Sequence, residues 1–235
     1  MSFCRRIKLE NILNLRDLGG YPSEYGVTKF GRFLRGGVVA VPEEWEIRAL
    51  EDYGVRTVID LRGDFEAENM PLRLDRIKNS EFYSLSLYEA NVANANIGEK
   101  SLVEIYASIA DGYRENIRKA LETVACAKDG AVFYHCFFGK DRTGILSMLL
   151  LSIAGVDEAD IIADYQVTYA YVHDYIKKNA DVLWCQDGSM HYSLPETMEG
   201  LIDYIKKKYG SVADYIKSTG ISDESVEKIR RRFFD

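Results

Sequence analysis

One stretch of chain, residues 130–154, constrains the fold more than any other. Gly130-Ala-Val-Phe-Tyr-His-Cys136 is short, apolar and rich in β-branched and aromatic side chains, which is typical of a buried strand. A loop that contains Gly139 follows, and then a strongly apolar helix is predicted from about Thr143 to Ala154. The segment therefore predicts one strand–loop–helix unit of a sheet that is covered by helices.

The rest of the sequence extends this alternation up to residue 155. Further strands are predicted over 55–61 and 81–87, and a short strand over 31–40 is interrupted by the pair Gly36-Gly37. The paired glycines of the segment 14–21 indicate a turn. Helices are predicted over 42–53, 101–127 with a break near Gly112, 157–178, 195–208, 212–218 and 223–234.

This order of elements predicts an α/β fold with a mostly parallel central sheet flanked by helices. We expect a single domain over residues 1–235, because no low-complexity linker interrupts the chain. Residues 1–155 are expected to form the α/β core, and residues 156–235 a helical cap or subdomain on it.

Composition and charge exclude several classes of function. The chain has 30 basic and 37 acidic residues, so that its net charge of −7 argues against general nucleic-acid binding. Four cysteines without a C-x-x-C pair and three histidines predict no disulfide framework, no metal site and no cofactor. The first residues lack a signal-peptide pattern, and the longest apolar stretch, 144–156, is too short to cross a bilayer, so a cytoplasmic location is expected. The sequence carries no indication of oligomeric state.

The loop between the strand and the helix carries the chemistry. Cys136 and Arg142 lie six positions apart, where a strand end meets a helix N-terminus. Backbone N–H groups and the helix dipole favour an anion at such a place, and the same field favours the thiolate of a cysteine. Arg142 can bind two phosphate oxygens with its planar guanidinium, and Thr143 could donate its hydroxyl to a departing sulfur. The alternative is that Cys136 is an inert buried cysteine.

The run His-Cys-Phe-Phe-Gly-Lys-Asp-Arg-Thr-Gly, residues 135–144, resembles the phosphate-binding signature of the cysteine-based protein tyrosine phosphatases. Its Gly-Lys-Asp-Arg variant is similar to the bacterial tyrosine and phosphoinositide phosphatase branch, and the resemblance covers nearly the whole chain. Gly36 and Gly63 depart from it, where small hydroxyl residues are expected. Matching positions are Asn14, Arg16, Asp17, Gly19, Gly20, Gly31, Arg32, Arg35, Asp60, Leu61, Arg62, Glu66 and the tail from Tyr209 to Ile221.

The resemblance implies a metal-independent phosphomonoester hydrolase that acts through a phosphocysteine. Cys136 would be the nucleophile, Arg142 would stabilise the transferred group, and Asp141 would be the general acid. Glu89 is the second candidate for the acid, and Asp141 could instead be a structural carboxylate that pairs with Lys140. Further residues expected to bind the phosphate are Phe137, Phe138, Gly139, Lys140, Thr143 and Gly144.

The implied substrate is a phosphotyrosine protein, and a phosphorylated lipid or inositol is the alternative. Lys140 would favour substrates with several phosphates if it lies at the mouth of the pocket, whereas a solvated Lys140 would carry no such preference. Two other functions remain open. A catalytically silent phosphate-binding module would have lost Cys136 or Arg142, and a sulfur or arsenate transferase would use the same Cys-x5-Arg spacing with a second reactive cysteine.

Three groups outside the loop have expected supporting roles. Asp60 and Arg62 are predicted to tie a strand end to the phosphate-binding loop, while Asn14, Arg16 and Asp17 are predicted to form a structural clasp. Four tyrosines of one predicted helix are expected to pack within the cap, although a lid over the pocket is the alternative; they are Tyr165, Tyr169, Tyr171 and Tyr175.

Overall fold

The structure, a computed structural model, describes residues 5–88, 101–179 and 192–235. At its centre is a five-stranded sheet, in which the strand ending at Cys136 is the middle one. In spatial order the strands are β1 (Ile12–Asp17), β4 (Phe33–Val38), β7 (Ala131–Cys136), β5 (Val55–Asp60) and β6 (Glu81–Ser84). β1 is antiparallel to β4, and every other neighbouring pair is parallel. The predicted α/β class with a mostly parallel sheet is confirmed.

A two-stranded ribbon, β2 (Pro22–Ser23) with β3 (Gly26–Val27), connects β1 to β4. Within the described ranges the α-helices are α1 (Glu44–Tyr53), α2 (Asp64–Asn69), α3 (Leu102–Gly112), α4 (Arg114–Cys126), α5 (Asp141–Ile153), α6 (Glu158–Lys178), α7 (Pro195–Tyr209), α8 (Val212–Ser218) and α9 (Asp223–Phe234). A 3-10 turn occupies Leu74–Arg76. None of these helices has both the length and the apolar character that crossing a bilayer requires.

The two faces of β7 point into separate apolar clusters, because successive side chains of a strand point to opposite sides. Val132, Tyr134 and Cys136 belong to the larger cluster, which α5 fills and to which the C-terminal helices contribute. Ala131 and Phe133 belong to the smaller cluster, together with side chains of α1. Since α5 is buried along almost its whole length, the helix that follows the loop is held on all sides.

One local expectation proves wrong, and a second is confirmed but omits a strand. The strand predicted to break at Gly36-Gly37 is continuous as β4, because both glycines stay in the ladder with β7. The segment around Asn14 is not only a turn: the glycines turn after it, but Ile12–Asp17 forms a strand. Asn14 has a φ of 56°, and the pairing of β1 with β4 shifts register between Leu13 and Arg16.

Most other predicted elements appear with small changes in their ends. The expected break of the helix 101–127 is present, since α3 ends at Gly112 and α4 begins at Arg114. The strand predicted over 81–87 is shorter, ending at Ser84. The helix predicted from about Thr143 begins two residues earlier, at Asp141.

Candidate active site

The predicted phosphate-binding loop lies at the carboxyl end of the central strand. Cys136 is the last residue of β7 and is 2% exposed. The loop 137–140 follows, and α5 begins directly after it. The first amides of an α-helix have no acceptor inside the helix, so they are available to an anion held above Cys136.

The loop lies directly on the glycine pair of β4. A Cβ on Gly37 would lie 2.2 Å from the carbonyl carbon of Phe138, and one on Gly139 would lie 2.3 Å from the carbonyl carbon of Gly36. Gly139 also has a φ of +67°, which glycine adopts without strain. Gly37 and Gly139 therefore allow two backbone segments to touch where any side chain would force them apart.

Two buried side chains hold the outer side of the loop through its carbonyl groups. The Asn14 amide donates to the carbonyl oxygens of Phe138, at 3.2 Å, and Gly139, at 2.8 Å. Arg35 donates from Nη2 to the same Gly139 oxygen at 2.8 Å. Because these carbonyls are engaged by the protein, the shape of the loop is fixed from its outer side.

A buried ion cluster supports these two side chains. Arg16 and Arg35 both bind the Asp164 carboxylate, at 2.9 Å and 2.6 Å. The Tyr21 hydroxyl donates to the same carboxylate at 3.0 Å. Burial alone would raise the pKa of Asp164, but the charges of Arg16 and Arg35 outweigh it and hold that pKa well below the ordinary 3.8. Two guanidinium groups share one carboxylate, so the cluster adds net positive charge next to the loop.

Arg142 is held by a carboxylate from α2. Its guanidinium binds Glu66 in a bidentate pair, with Nη2 at 2.9 Å from Oε1 and Nη1 on Oε2. Burial disfavours the charge of Arg142, but the hydrogen bonds and charge of Glu66 outweigh it and raise the pKa of Arg142. Glu66 also accepts from the amide of Gly63 at 3.0 Å.

Asp141 lies in the first turn of α5 and is partly accessible, with 34% of its side chain exposed. Its Oδ1 accepts the hydroxyl of Tyr106 at 2.6 Å and lies 3.3 Å from Lys140 Nζ. Lys140 itself is buried, and its ammonium also donates to the carbonyl oxygen of Tyr192 at 3.4 Å. The alternative of a solvated Lys140 is therefore wrong.

The other predicted loop residues are placed as follows. Phe137 and Phe138 are half-buried and meet edge to face, with ring centroids 4.7 Å apart. The Thr143 hydroxyl is buried and makes no hydrogen bond to any described residue, which leaves it available to a group that enters the site. Gly144 packs against Tyr165, since a Cβ there would lie 3.2 Å from the ring.

The clasp and the strand-end pair have different roles. Asn14 and Arg16 do support the loop, while Asp17 accepts amides of Gly19 and Gly31 and so closes the turn after β1. Within the described ranges, Asp60 and Arg62 bind each other at 2.7 Å, and Arg62 also reaches the Met70 carbonyl rather than the phosphate-binding loop. Glu89, the second candidate for the acid, lies outside the described residues.

The aromatic helix α6 lies beside the loop. The Tyr175 ring is 6.4 Å from Phe138, and Tyr169 stacks on Tyr192 at 5.1 Å. Tyr165 is buried, as expected for packing within the helical layer. The same helix contributes Asp164 and Thr168 to the cluster behind the loop, so it is a wall of the site.

Sequence reasoning missed Asp164 and Tyr106 and assigned no role to Glu66. Asp164 had a usable signal, because Ile161, Asp164 and Thr168 fall on one helical face, and a carboxylate on an apolar face needs a buried partner. Tyr106 had none, since it is one of 16 tyrosines. No group of three or more His, Cys, Asp or Glu side chains in the described ranges could hold a metal ion.

This fold and site define a class: an α/β protein with a cysteine directly before, and an arginine just after, one short loop between a strand and a helix. The sequence profile of the tyrosine phosphatase family matches residues 7–235. The chain belongs to the tyrosine phosphatase family.

Two relatives show how similar this sequence is to other proteins of that family. The tyrosine-protein phosphatase of Nostoc commune is 26% identical over 202 residues, which cover 78% of this chain and 68% of that protein. The triple specificity protein phosphatase PtpB of Mycobacterium tuberculosis is 28% identical over 137 residues, 50% of this chain and 49% of that protein. The chain thus spans about two thirds of the length of the first and half of the second. Among solved structures, that of P. aeruginosa TpbA matches with a TM-score of 0.41 and 15% identity, over 88% of this chain and 91% of that one.

Proposed function

We propose that the protein hydrolyses phosphotyrosine in proteins, without a metal ion, through a phosphocysteine on Cys136. The observation that carries the proposal is the arrangement of Cys136 and Arg142 on one loop whose carbonyl groups are fixed by Asn14 and Arg35. Such a loop offers a nucleophile together with preorganised donors for a tetrahedral anion.

In the first step, the sulfur of Cys136 attacks phosphorus while the bond to the tyrosine oxygen breaks. Asp141 gives its proton to that oxygen, so that tyrosine leaves as a neutral phenol. The three remaining phosphate oxygens are held by the guanidinium of Arg142 and the amides from Phe137 to Arg142. Glu66 presents the guanidinium in a fixed plane, because it binds both terminal nitrogens of Arg142.

In the second step, water attacks the phosphocysteine and gives a proton to Asp141, while the sulfur leaves. The unpartnered Thr143 hydroxyl can then donate to the sulfur as its charge returns. Free phosphate and the original enzyme are the products.

Phosphotyrosine is the favoured substrate because aromatic side chains adjoin the loop, where they can pack on a phenyl ring. The family supports the same substrate. A phosphorylated lipid or inositol is the alternative, which a lysine at the pocket mouth would favour; Lys140 is instead buried against Asp141. The name of the PtpB relative indicates several specificities for that protein.

The test is phosphate release in the presence of EDTA from a phosphotyrosine peptide, a phosphoserine peptide and phosphatidylinositol phosphates. We expect the phosphotyrosine peptide to be hydrolysed fastest, and Cys136→Ser to abolish release. Cys126→Ser is the matched control, since Cys126 is an exposed cysteine on α4. A faster reaction with the phosphoinositides would show that they, and not phosphotyrosine, are the preferred substrate. If the folded, reduced enzyme releases no phosphate but binds the peptides, the protein is a silent binding module.

A further inference from the structure

A chain of buried hydroxyl groups ends on Asp141. Tyr106 of α3 and Tyr165 of α6 are 0% and 1% exposed. The Tyr106 hydroxyl donates to Asp141 Oδ1 at 2.6 Å, and the oxygens of Tyr106 and Tyr165 are 2.8 Å apart. Two helices from distant parts of the sequence therefore form a chain of hydroxyl groups that ends on one carboxylate.

The number of hydroxyl hydrogens fixes which group donates and which accepts in this series of hydrogen bonds. A phenol has one hydroxyl hydrogen, and Tyr106 donates it in the hydrogen bond to Asp141, because an oxygen of an ionised carboxyl group can only accept. Tyr165 must then donate to Tyr106. Aligned hydroxyl groups polarise one another, so each donor strengthens the hydrogen bond that reaches Asp141.

The two carboxylate oxygens of Asp141 have different contacts. Oδ1 receives Tyr106 and lies next to Lys140 Nζ, whereas no described residue donates to Oδ2. A protonated Asp141 therefore carries its hydrogen on Oδ2, and the rotation of the carboxyl group is fixed by the contacts of Oδ1.

Tyr106 cannot replace Asp141 as the acid. Burial, together with the neighbouring Asp141 carboxylate, raises the pKa of Tyr106 well above the ordinary 10.0. Its hydroxyl thus remains a donor throughout turnover, while the exchangeable proton stays on Asp141.

We infer that Tyr106, backed by Tyr165, is a positioning residue that orients Asp141 and stabilises the carboxylate formed when it gives up its proton. This rests on the proposed role of Asp141 as the general acid. When the leaving oxygen separates from phosphorus, the O–H bond at Oδ2 breaks and a new O–H bond forms on the leaving group. Tyr106 keeps its own proton and offsets the new negative charge at Oδ1.

The test compares Tyr106→Phe with wild type on two aryl phosphates. Phenyl phosphate needs a protonated leaving group, whereas p-nitrophenyl phosphate releases a stable anion. We expect Tyr106→Phe to lower kcat/KM for phenyl phosphate about ten-fold and kcat/KM for p-nitrophenyl phosphate less than about two-fold, because kcat/KM reports the first step and only phenyl phosphate needs the acid there. Tyr165→Phe should act in the same direction with a smaller effect.

The matched control is Tyr215→Phe. Tyr215 is also fully buried, and its hydroxyl donates to the Ala110 carbonyl of the same helix α3, away from Asp141. This variant should change kcat/KM for the two substrates by the same factor. An equal effect of Tyr106→Phe on both substrates would show that Tyr106 only supports the fold and would overturn the inference.

Asp141→Asn separates this inference from the function on which it rests. We expect it to lower kcat/KM for phenyl phosphate selectively and to remove any further effect of Tyr106→Phe in the double variant. If Asp141→Asn is not selective, the acid is another group and both the assignment and the inference fail. A selective Asp141→Asn with an unselective Tyr106→Phe rejects the inference alone.

Discussion

At the scale of single residues, the site depends on the absence of a side chain at one position and on a left-handed backbone at another. Gly37 has no side chain, which lets the phosphate-binding loop rest on β4. Asn14 accepts a left-handed backbone, with a φ of 56°, and its side-chain amide is thereby free to bind the loop. Both features are steric conditions on the shape of the loop.

Gly37→Ala tests this condition, because the new Cβ would lie 2.2 Å from Phe138 and must displace the loop. We expect kcat/KM for a phosphotyrosine peptide to fall about 100-fold, since a shift of roughly 1 Å misplaces the donors. The free energy of unfolding should fall by about 1–3 kcal/mol, measured by urea denaturation. Gly112→Ala is the control, because a Cβ there meets nothing within 4 Å. Wild-type kcat/KM in Gly37→Ala would contradict the packing argument.

At the scale of elements, α6 links the helical layer to the sheet and to the loop. Asp164 binds Arg16 of β1 and Arg35 of β4, and Thr168 accepts from the Asn14 amide at 3.3 Å. Tyr165, one residue further on, reaches Tyr106. One helix, α6, therefore supports the carbonyl side of the loop directly and the Asp141 carboxylate through Tyr106.

Asp164→Asn should lower the free energy of unfolding at pH 7 by about 3–5 kcal/mol, because it leaves two buried guanidinium groups without a counter-charge. The pKa of Asp164 is lower in the folded than in the unfolded protein, so its contribution is fully present above the ordinary value of 3.8 and is lost as the pH falls below it. The difference between wild type and variant should therefore shrink between pH 5 and about pH 3.

Urea denaturation at several pH values measures this difference. The control is Asp174→Asn, an exposed aspartate of the same helix, whose stability should match wild type at every pH. A constant gap between Asp164→Asn and wild type down to pH 3 would contradict the assignment of the charge.

At the scale of the whole molecule, the C-terminal helices share the core of the sheet. Phe233 of α9 packs on Phe33 of β4, with ring centroids 4.3 Å apart and neither side chain exposed. Side chains of α7 and α8 belong to the same apolar cluster as α5. The end of the chain is thereby coupled to the strand on which the loop rests.

Phe233→Ala should lower the free energy of unfolding by about 3–5 kcal/mol, because it leaves a cavity at the centre of the larger cluster. Its kcat/KM on a phosphotyrosine peptide should stay within about two-fold of wild type below the melting temperature, since the change removes packing and no donor. Phe82→Ala is the control, because Phe82 is 43% exposed on β6. This substitution should lower the free energy of unfolding only slightly. An unchanged Tm in Phe233→Ala would show that α9 is peripheral.

Much of this arrangement follows from local sequence. The strand before Cys136, the helix after it and the break at Gly112 were predictable, because apolar periodicity and glycine act over a few residues. The strand at Ile12–Asp17 was missed, since its polar side chains bind partners far along the chain. The continuous course of β4 was missed because only the neighbouring loop explains its two glycines.

By itself, the sequence determined the α/β class and the presence of Cys136, Asp141 and Arg142 at one strand–loop–helix junction, because these depend on spacing within about ten residues. The tertiary structure decided which groups act on them. Glu66 on Arg142, Tyr106 on Asp141 and Asp164 behind the loop come from other helices. Such pairs form only when folding buries charged and polar groups together, since each must find a partner away from water.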